Sequence, residues 1–132
     1  MCKKRDIILI DSYKSQGTEV GKHSFVVIDD DGGEIHGLPY DLVCNVLSSF
    51  KDENQKIRKM SYPGNFLIRG IDQNVPGGNG KDGYIKADQL YYFEKDLIKY
   101  RVIGYMEEDA FNELIDFIQN GEFELEVIID NL

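Results

Sequence analysis

The sequence predicts one mostly-β domain over residues 1–132, a small β-barrel with a helix near its C-terminus. Three observations predict it. Short apolar runs of strand length recur between turn-rich segments. Only 107–118 has a clean helical period, and no stretch reads as a linker. At 132 residues, 42% of them hydrophobic with seven Phe and eight Tyr, the chain suits one domain with a sizeable core.

Asp6–Asp11 encloses a compact, β-branched apolar run that reads as a buried strand. Ser12–Lys22 is polar with Gly17 and Gly21, hence a loop, and Phe25–Ile28 is the next apolar run. Asp29-Asp30-Asp31-Gly32-Gly33 is dense in turn residues and predicts a hairpin turn into a strand at Glu34–Leu38. It lacks the spacing and terminal Glu of a calcium loop. Tyr40–Phe50 fits either a helix or a buried strand, because Leu42, Val43, Val46, Leu47 and Phe50 satisfy both patterns. Lys51–Lys59 is highly charged and predicts an exposed excursion. Residues 61–83, rich in Gly, Pro and Asn, predict a long loop with a short strand at Phe66–Ile71. Tyr84–Phe93 and Val102–Tyr105 return to strand chemistry. In Glu107–Ile118, Phe111, Leu114, Ile115 and Ile118 lie at i, i+3, i+4 and i+7, three acidic residues occupy the first turn, and Gly121 ends the helix. Phe123, Leu125 and Val127 alternate with glutamates, predicting a half-buried last strand.

The net charge of −9 is unevenly placed: residues 1–86 are balanced, and the entire excess lies in 87–132. A polyanion therefore has room on the first two thirds, where Lys3-Lys4-Arg5 and Lys56-Ile57-Arg58-Lys59 cluster. No run is long enough for a membrane span, and the apolar stretch after the basic N-terminus is too short for a secretory signal. Cys2 and Cys44 match no metal or redox spacing, which suits a reducing cytoplasm with Cys44 in the core.

Three segments together resemble the MazF/PemK/Kid family of toxins from toxin–antitoxin modules. The first is Arg5–Asp11 followed by Gly17-Thr18-Glu19 and Gly21-Lys22-His23-Ser24-Phe25-Val26-Val27-Ile28. The second is Val46-Leu47-Ser48-Ser49, and the third is Tyr84-Ile85-Lys86-Ala87-Asp88-Gln89-Leu90. Each is short, and their order and spacing across most of the chain carry the likeness. His23–Ile28 and Leu47–Lys51 also resemble the type III branch, ToxN, AbiQ and relatives. The resemblance implies an SH3-like barrel with a C-terminal helix. It further implies a sequence-selective, metal-independent endoribonuclease cutting single-stranded RNA to a 2′,3′-cyclic phosphate and a 5′-hydroxyl. A cognate antitoxin, protein or structured RNA, and a homodimer come with it, and no cofactor. Two motifs depart from the family: His23 and Ser24 stand for its Arg-Pro, and Lys86 for its arginine. Histidine does acid–base work but is no permanently charged bidentate phosphate clamp.

Metal-free RNA cleavage needs a base for the 2′-OH, a stabiliser of the phosphorane and an acid for the leaving 5′-oxygen. His23, at a loop–strand junction, has a suitable intrinsic pKa. Lys86 and Asp88 are two apart, so on a continuous strand they share a face; either a functional couple or an ordinary surface ion pair fits. Ser48 and Ser49 offer donors to phosphate, though strand-end hydroxyls also satisfy local backbone. His23, Ser48, Ser49, Lys86 and Asp88 are thus the candidate catalytic residues, with His23 or Asp88 as base. Lys51, Lys56, Arg58 and Lys59 form a basic stretch that, with Lys22, makes the candidate RNA-binding set, and Tyr62 can stack on a base. His36 has no such support. The loop Asn74–Gly83 is assigned no nucleotide role, because Gly80-Lys81 is followed by Asp82. A barrel that binds RNA or a protein without cutting is the alternative.

Overall fold

The computed structural model describes residues 1–77 and 81–132. Strands hold 44% of the chain beside two α-helices, and the main sheet curls into a half-barrel, so the mostly-β expectation stands. The strands are β1 (Asp6–Ile10), β2 (Tyr13–Ser15), β3 (Thr18–Val20), β4 (His23–Asp29), β5 (Gly33–Ile35), β6 (Leu38–Tyr40) and β7 (Leu42–Ser49). After helix α1 (Glu53–Met60) come β8 (Asn65–Ile68), β9 (Gln73–Asn74), β10 (Gly83–Lys86), β11 (Gln89–Phe93) and β12 (Tyr100–Met106). Helix α2 (Glu108–Asn120) and β13 (Glu126–Ile128) close the chain.

The main sheet runs β13-β11-β7-β4-β1-β12-β9, with β10 and β8 branching from β7. All its pairings are antiparallel except β11 with β13. Consecutive strand residues point to opposite faces, and here both faces are covered. Ile8, Ile10, Phe25, Val27, Cys44 and Val46 build one core with Tyr13, Tyr91 and Phe93. Ile7, Val26, Ile68 and Ile85 build the other beneath Ala110, Phe111 and Leu114 of α2. That two-sided burial is why β1 and β4 read as unbroken apolar runs. In the first core Phe25 meets Tyr13, Tyr91 and Phe93 edge-on at ring separations of 4.9, 5.3 and 5.3 Å. Burial pushes the Tyr13 hydroxyl up to about 12 and the Cys44 thiol well above its usual value.

Several elements depart from expectation. Ser12–Lys22 contains the hairpin β2–β3, and the strand expected at Glu34–Leu38 is instead the hairpin β5–β6. Each turns on two residues of positive φ, Gln16-Gly17 and His36-Gly37, as type I′ turns require. The Asp29–Gly33 cluster joins two sheets instead of turning a hairpin, since β5 pairs only β6. Three carboxylates gather there within 4.8 Å, at the opposite end of β4 from His23. Tyr40–Phe50 resolves as the strand β7. Lys51–Lys59 is largely helical: Asp52 caps α1 by accepting from the Gln55 N–H at 2.7 Å, while Gln55 Oε1 accepts from the Lys51 N–H at 2.6 Å. With no buried residue, α1 has no apolar stripe to announce it. The long loop holds β8, a 3-10 turn at Gly70–Asp72 and β9; its residues 78–80 lie outside those described. In β13 the buried residue is Ile128, with Val127 exposed, opposite in phase to the predicted alternation. No helix among the described residues is long and apolar enough to cross a membrane.

The strand expected at Tyr84–Phe93 is broken. β10 pairs the end of β7 (Tyr84↔Ser48), β11 pairs its start (Tyr91↔Cys44), and a turn at Ala87-Asp88 separates them. Lys86 and Asp88 therefore do not sit on one continuous strand. The Ala87 N–H donates to Gly64 O at 2.9 Å, and Asp88 O accepts from the Glu126 N–H at 2.7 Å, pinning the turn on both sides. Buried Asn45 spans the gap by donating to Gln89 O at 2.8 Å. Gly83 opens β10 hard against β7, where an added Cβ would collide with the Ser48 carbonyl. Gly83→Ala should cost roughly 3 kcal/mol, as overpacking against rigid backbone does, read as a lower urea midpoint. Unchanged stability would contradict the β7–β10 pairing.

Candidate RNA-cleavage site

Strand register brings His23 and Ser48 together. β4 and β7 pair with Ser24 opposite Leu47, so the next step sets His23 opposite Ser48. β10 in turn sets Tyr84 opposite Ser48. Directly opposed residues share a face, and His23, Ser48 and Tyr84 thus form a row across three strands. His23 Nε2 and Ser48 Oγ lie 3.1 Å apart, within hydrogen-bond distance.

The row floors an open cleft of about 650 Å³. Among its described lining residues are Lys22, Lys51 and Lys59, and no carboxylate. Lys59 Nζ sits 5.8 Å above the Tyr84 ring, which itself stacks on Phe50 at 5.3 Å. Lys56 Nζ is 5.9 Å above Phe50, so two cations rest on one aromatic pair. The Asn65 amide donates to Lys59 O at 2.9 Å and ties the end of α1 to the sheet. Strand ends, a capped helix and an aromatic stack thereby hold positive charge around a half-buried imidazole. Such a cleft suits a polyanion.

His23 packs edge-on against Tyr13 and Phe25 at 6.4 and 6.2 Å. Burial lowers its pKa below the usual 6.5, and hydrogen bonding to the Leu47 backbone offsets part of the shift. The ring is therefore mainly neutral at pH 7, the state of a general base.

Ser49 is exposed at the rim of the same cleft. A second cavity, about 410 Å³, shares Ser24, Leu47, Ser48 and Ser49 with it and extends to Gln73, Asn74 and Lys81. Lys86 and Asp88 line a third, about 430 Å³, together with Tyr62. Lys59 lines both this and the His23 cleft, making them neighbours. His23 and Ser48 thus share a cleft, whereas the Lys86–Asp88 couple stands in the adjoining one. Lys56 lies beyond Lys51, facing Phe50, and Arg58 is exposed on α1 outside these three cavities. His36 is in a hairpin turn, away from the cleft lining.

Tyr84, Gln55 and Lys81 were not singled out from sequence. Tyr84 becomes legible only once the pairing register with Ser48 is known, and Gln55 once α1 is recognised as a helix carrying Gln55 and Lys59 at i and i+4.

No family model and no curated protein matches this chain.

An NMR titration should place His23 below 6.5. With the folded pKa depressed, the contribution of the neutral ring to stability is present above pH 6.5 and lost as pH falls through the folded pKa. His23→Ala should lack that part of the acid-side loss. A midpoint at or above 6.5 would contradict the half-buried environment.

Proposed function

We propose that this chain is a metal-independent endoribonuclease toxin with the SH3-like barrel of the MazF/PemK/Kid family, cutting single-stranded RNA. The observation that supports it most is the His23 Nε2–Ser48 Oγ contact inside a lysine-lined cleft. Neutral His23 takes the proton of the ribose 2′-OH, and the 2′-oxygen forms a bond to phosphorus. Ser48 orients the imidazole and, with Ser49, donates to the phosphoryl oxygens. Lys59 stands across Ser48 from His23, neutralises the phosphorane and gives a proton to the departing 5′-oxygen as the P–O5′ bond breaks. The products are a 2′,3′-cyclic phosphate and a 5′-hydroxyl, with protons and bonds balanced. His23 replaces a fixed cation with a base, while Lys22, Lys51 and Lys59 carry the charge on separate stems.

The substrate must be unpaired, because the sugar has to rotate into line and bases must splay onto aromatic faces. Restraint by an antitoxin, protein or structured RNA, and pairing as a homodimer follow the resemblance. Action in the cytoplasm fits the unpaired thiols Cys2 and Cys44.

The test is a defined single-stranded RNA cleaved in the presence of EDTA, with the ends mapped and their phosphate chemistry determined. Wild type should yield cyclic-phosphate ends, with kcat/KM falling on the acid side as His23 protonates. His23→Ala should lose about 10²- to 10⁴-fold. RNA bound but left intact by wild type would favour a non-catalytic barrel, the reading to which the separate cavity of Lys86 and Asp88 lends weight.

A further inference from the structure

We propose that the cavity at the Ala87-Asp88 turn is a base-recognition subsite that takes an unpaired guanine of the RNA. This inference rests on the nuclease reading above and deepens it. The cavity, about 430 Å³, lies next to the His23 cleft and is bridged to it by Lys59. Its volume suits a small planar ligand. Tyr62, two residues after α1, is 53% exposed and lines the cavity, a ring on which a base can stack. Phe123 lines the cavity from the segment after α2.

The polar groups select among bases. Lys86, Asp88 and Glu124 all face the cavity, a cation beside two carboxylates. Guanine's Watson–Crick edge presents one acceptor, O6, followed by two donors, N1–H and N2–H₂. The Lys86 ammonium matches O6, and a single carboxylate accepts both donors as a bidentate pair. Adenine and cytosine each offer one amino donor on that edge, and uracil one imino donor between two acceptors, which carboxylates repel.

Asp88 is built for this role. Its backbone is pinned by hydrogen bonds from Ala87 to Gly64 and from Glu126 to its own carbonyl. Its Oδ1 is buried with no hydrogen-bond partner, an arrangement that costs free energy until a donor arrives. The Asp88 side chain packs directly against Gly64, where any Cβ would overlap it. Bidentate pairing requires a turn about its soft terminal torsion that brings both oxygens to the cavity. Sequence reading placed Asp88 with the catalytic group; the fork in the sheet moves it into the adjoining cavity, where it reads a base.

The experiment uses the full chain carrying His23→Ala, which slows cutting, and fluorescence anisotropy with oligonucleotides of one sequence that differ at a single position. Guanine should bind roughly tenfold or more tightly than adenine, cytosine or uracil at that position. Inosine, which lacks only the 2-amino group, should lose most of that preference. Asp88→Asn in the same background should abolish the preference while leaving salt-dependent binding and the thermal midpoint in place. Tyr62→Ala should weaken all bases alike. Salt-dependent RNA binding with equal affinity for every base would overturn the guanine subsite and leave the nuclease reading standing. No RNA binding at all would overturn both.

Discussion

The structure depends on β7 being shared. Its first half pairs β11 and its second half pairs β10, while β4 runs along its other edge. That single strand, buried over Leu42–Val46 and emerging at Leu47–Ser49, fixes the register that lines up His23, Ser48 and Tyr84. A one-residue slip would send each side chain to the opposite face. The aromatic core beneath Phe25 holds the register by filling one face, and α2 holds it by covering the other. The cleft is where the first core runs out: His23 continues the Phe25–Val27 face into solvent.

The fork that lets β7 serve two partners also divides the polar groups. Because the chain turns at Ala87-Asp88, the ammonium of Lys86 and the carboxylate of Asp88 drop into the cavity beside Tyr62 instead of joining His23. Asp88 and Glu124 belong to the acidic last third, yet they enter a surface otherwise rich in lysine. Balanced and acidic parts of the chain thus meet at one end of the groove, with Lys59 at the junction. Carboxylates there would repel phosphate but welcome the amino and imino hydrogens of a base. In the proposed reading, this charge separation turns the phosphates of a bound strand toward Lys22, Lys51 and Lys59.

Much of this was legible in the residues and part was not, for identifiable reasons. The β1 and β4 runs and the amphipathic α2 announced themselves because burial on both sheet faces, or on one helix face, leaves a plain pattern. The hairpins β2–β3 and β5–β6 were missed because Gln16-Gly17 and His36-Gly37 do the work usually left to Asn-Gly. Helix α1 was missed because it buries nothing, although Asp52 and Gln55 carry its capping signal. The nearness of His23 and Ser48 was expected from resemblance, but the row through Tyr84 needs pairing across three strands, which no local pattern encodes. The break at Ala87-Asp88 was hidden because Tyr84–Phe93 is strand-like throughout, and the groups that complete its hydrogen bonding, Asn45, Gly64 and Glu126, are distant in sequence.

The most direct measurement of the central claim is an NMR footprint of a short single-stranded RNA made uncleavable by 2′-deoxy sugars. The predicted result is a set of shifts centred on the His23 ring, Ser48, Tyr84 and the Lys59 ammonium, weakening steeply with salt. Shifts confined to α2 and the surface around Asp29–Asp31, with His23 unmoved, would contradict it.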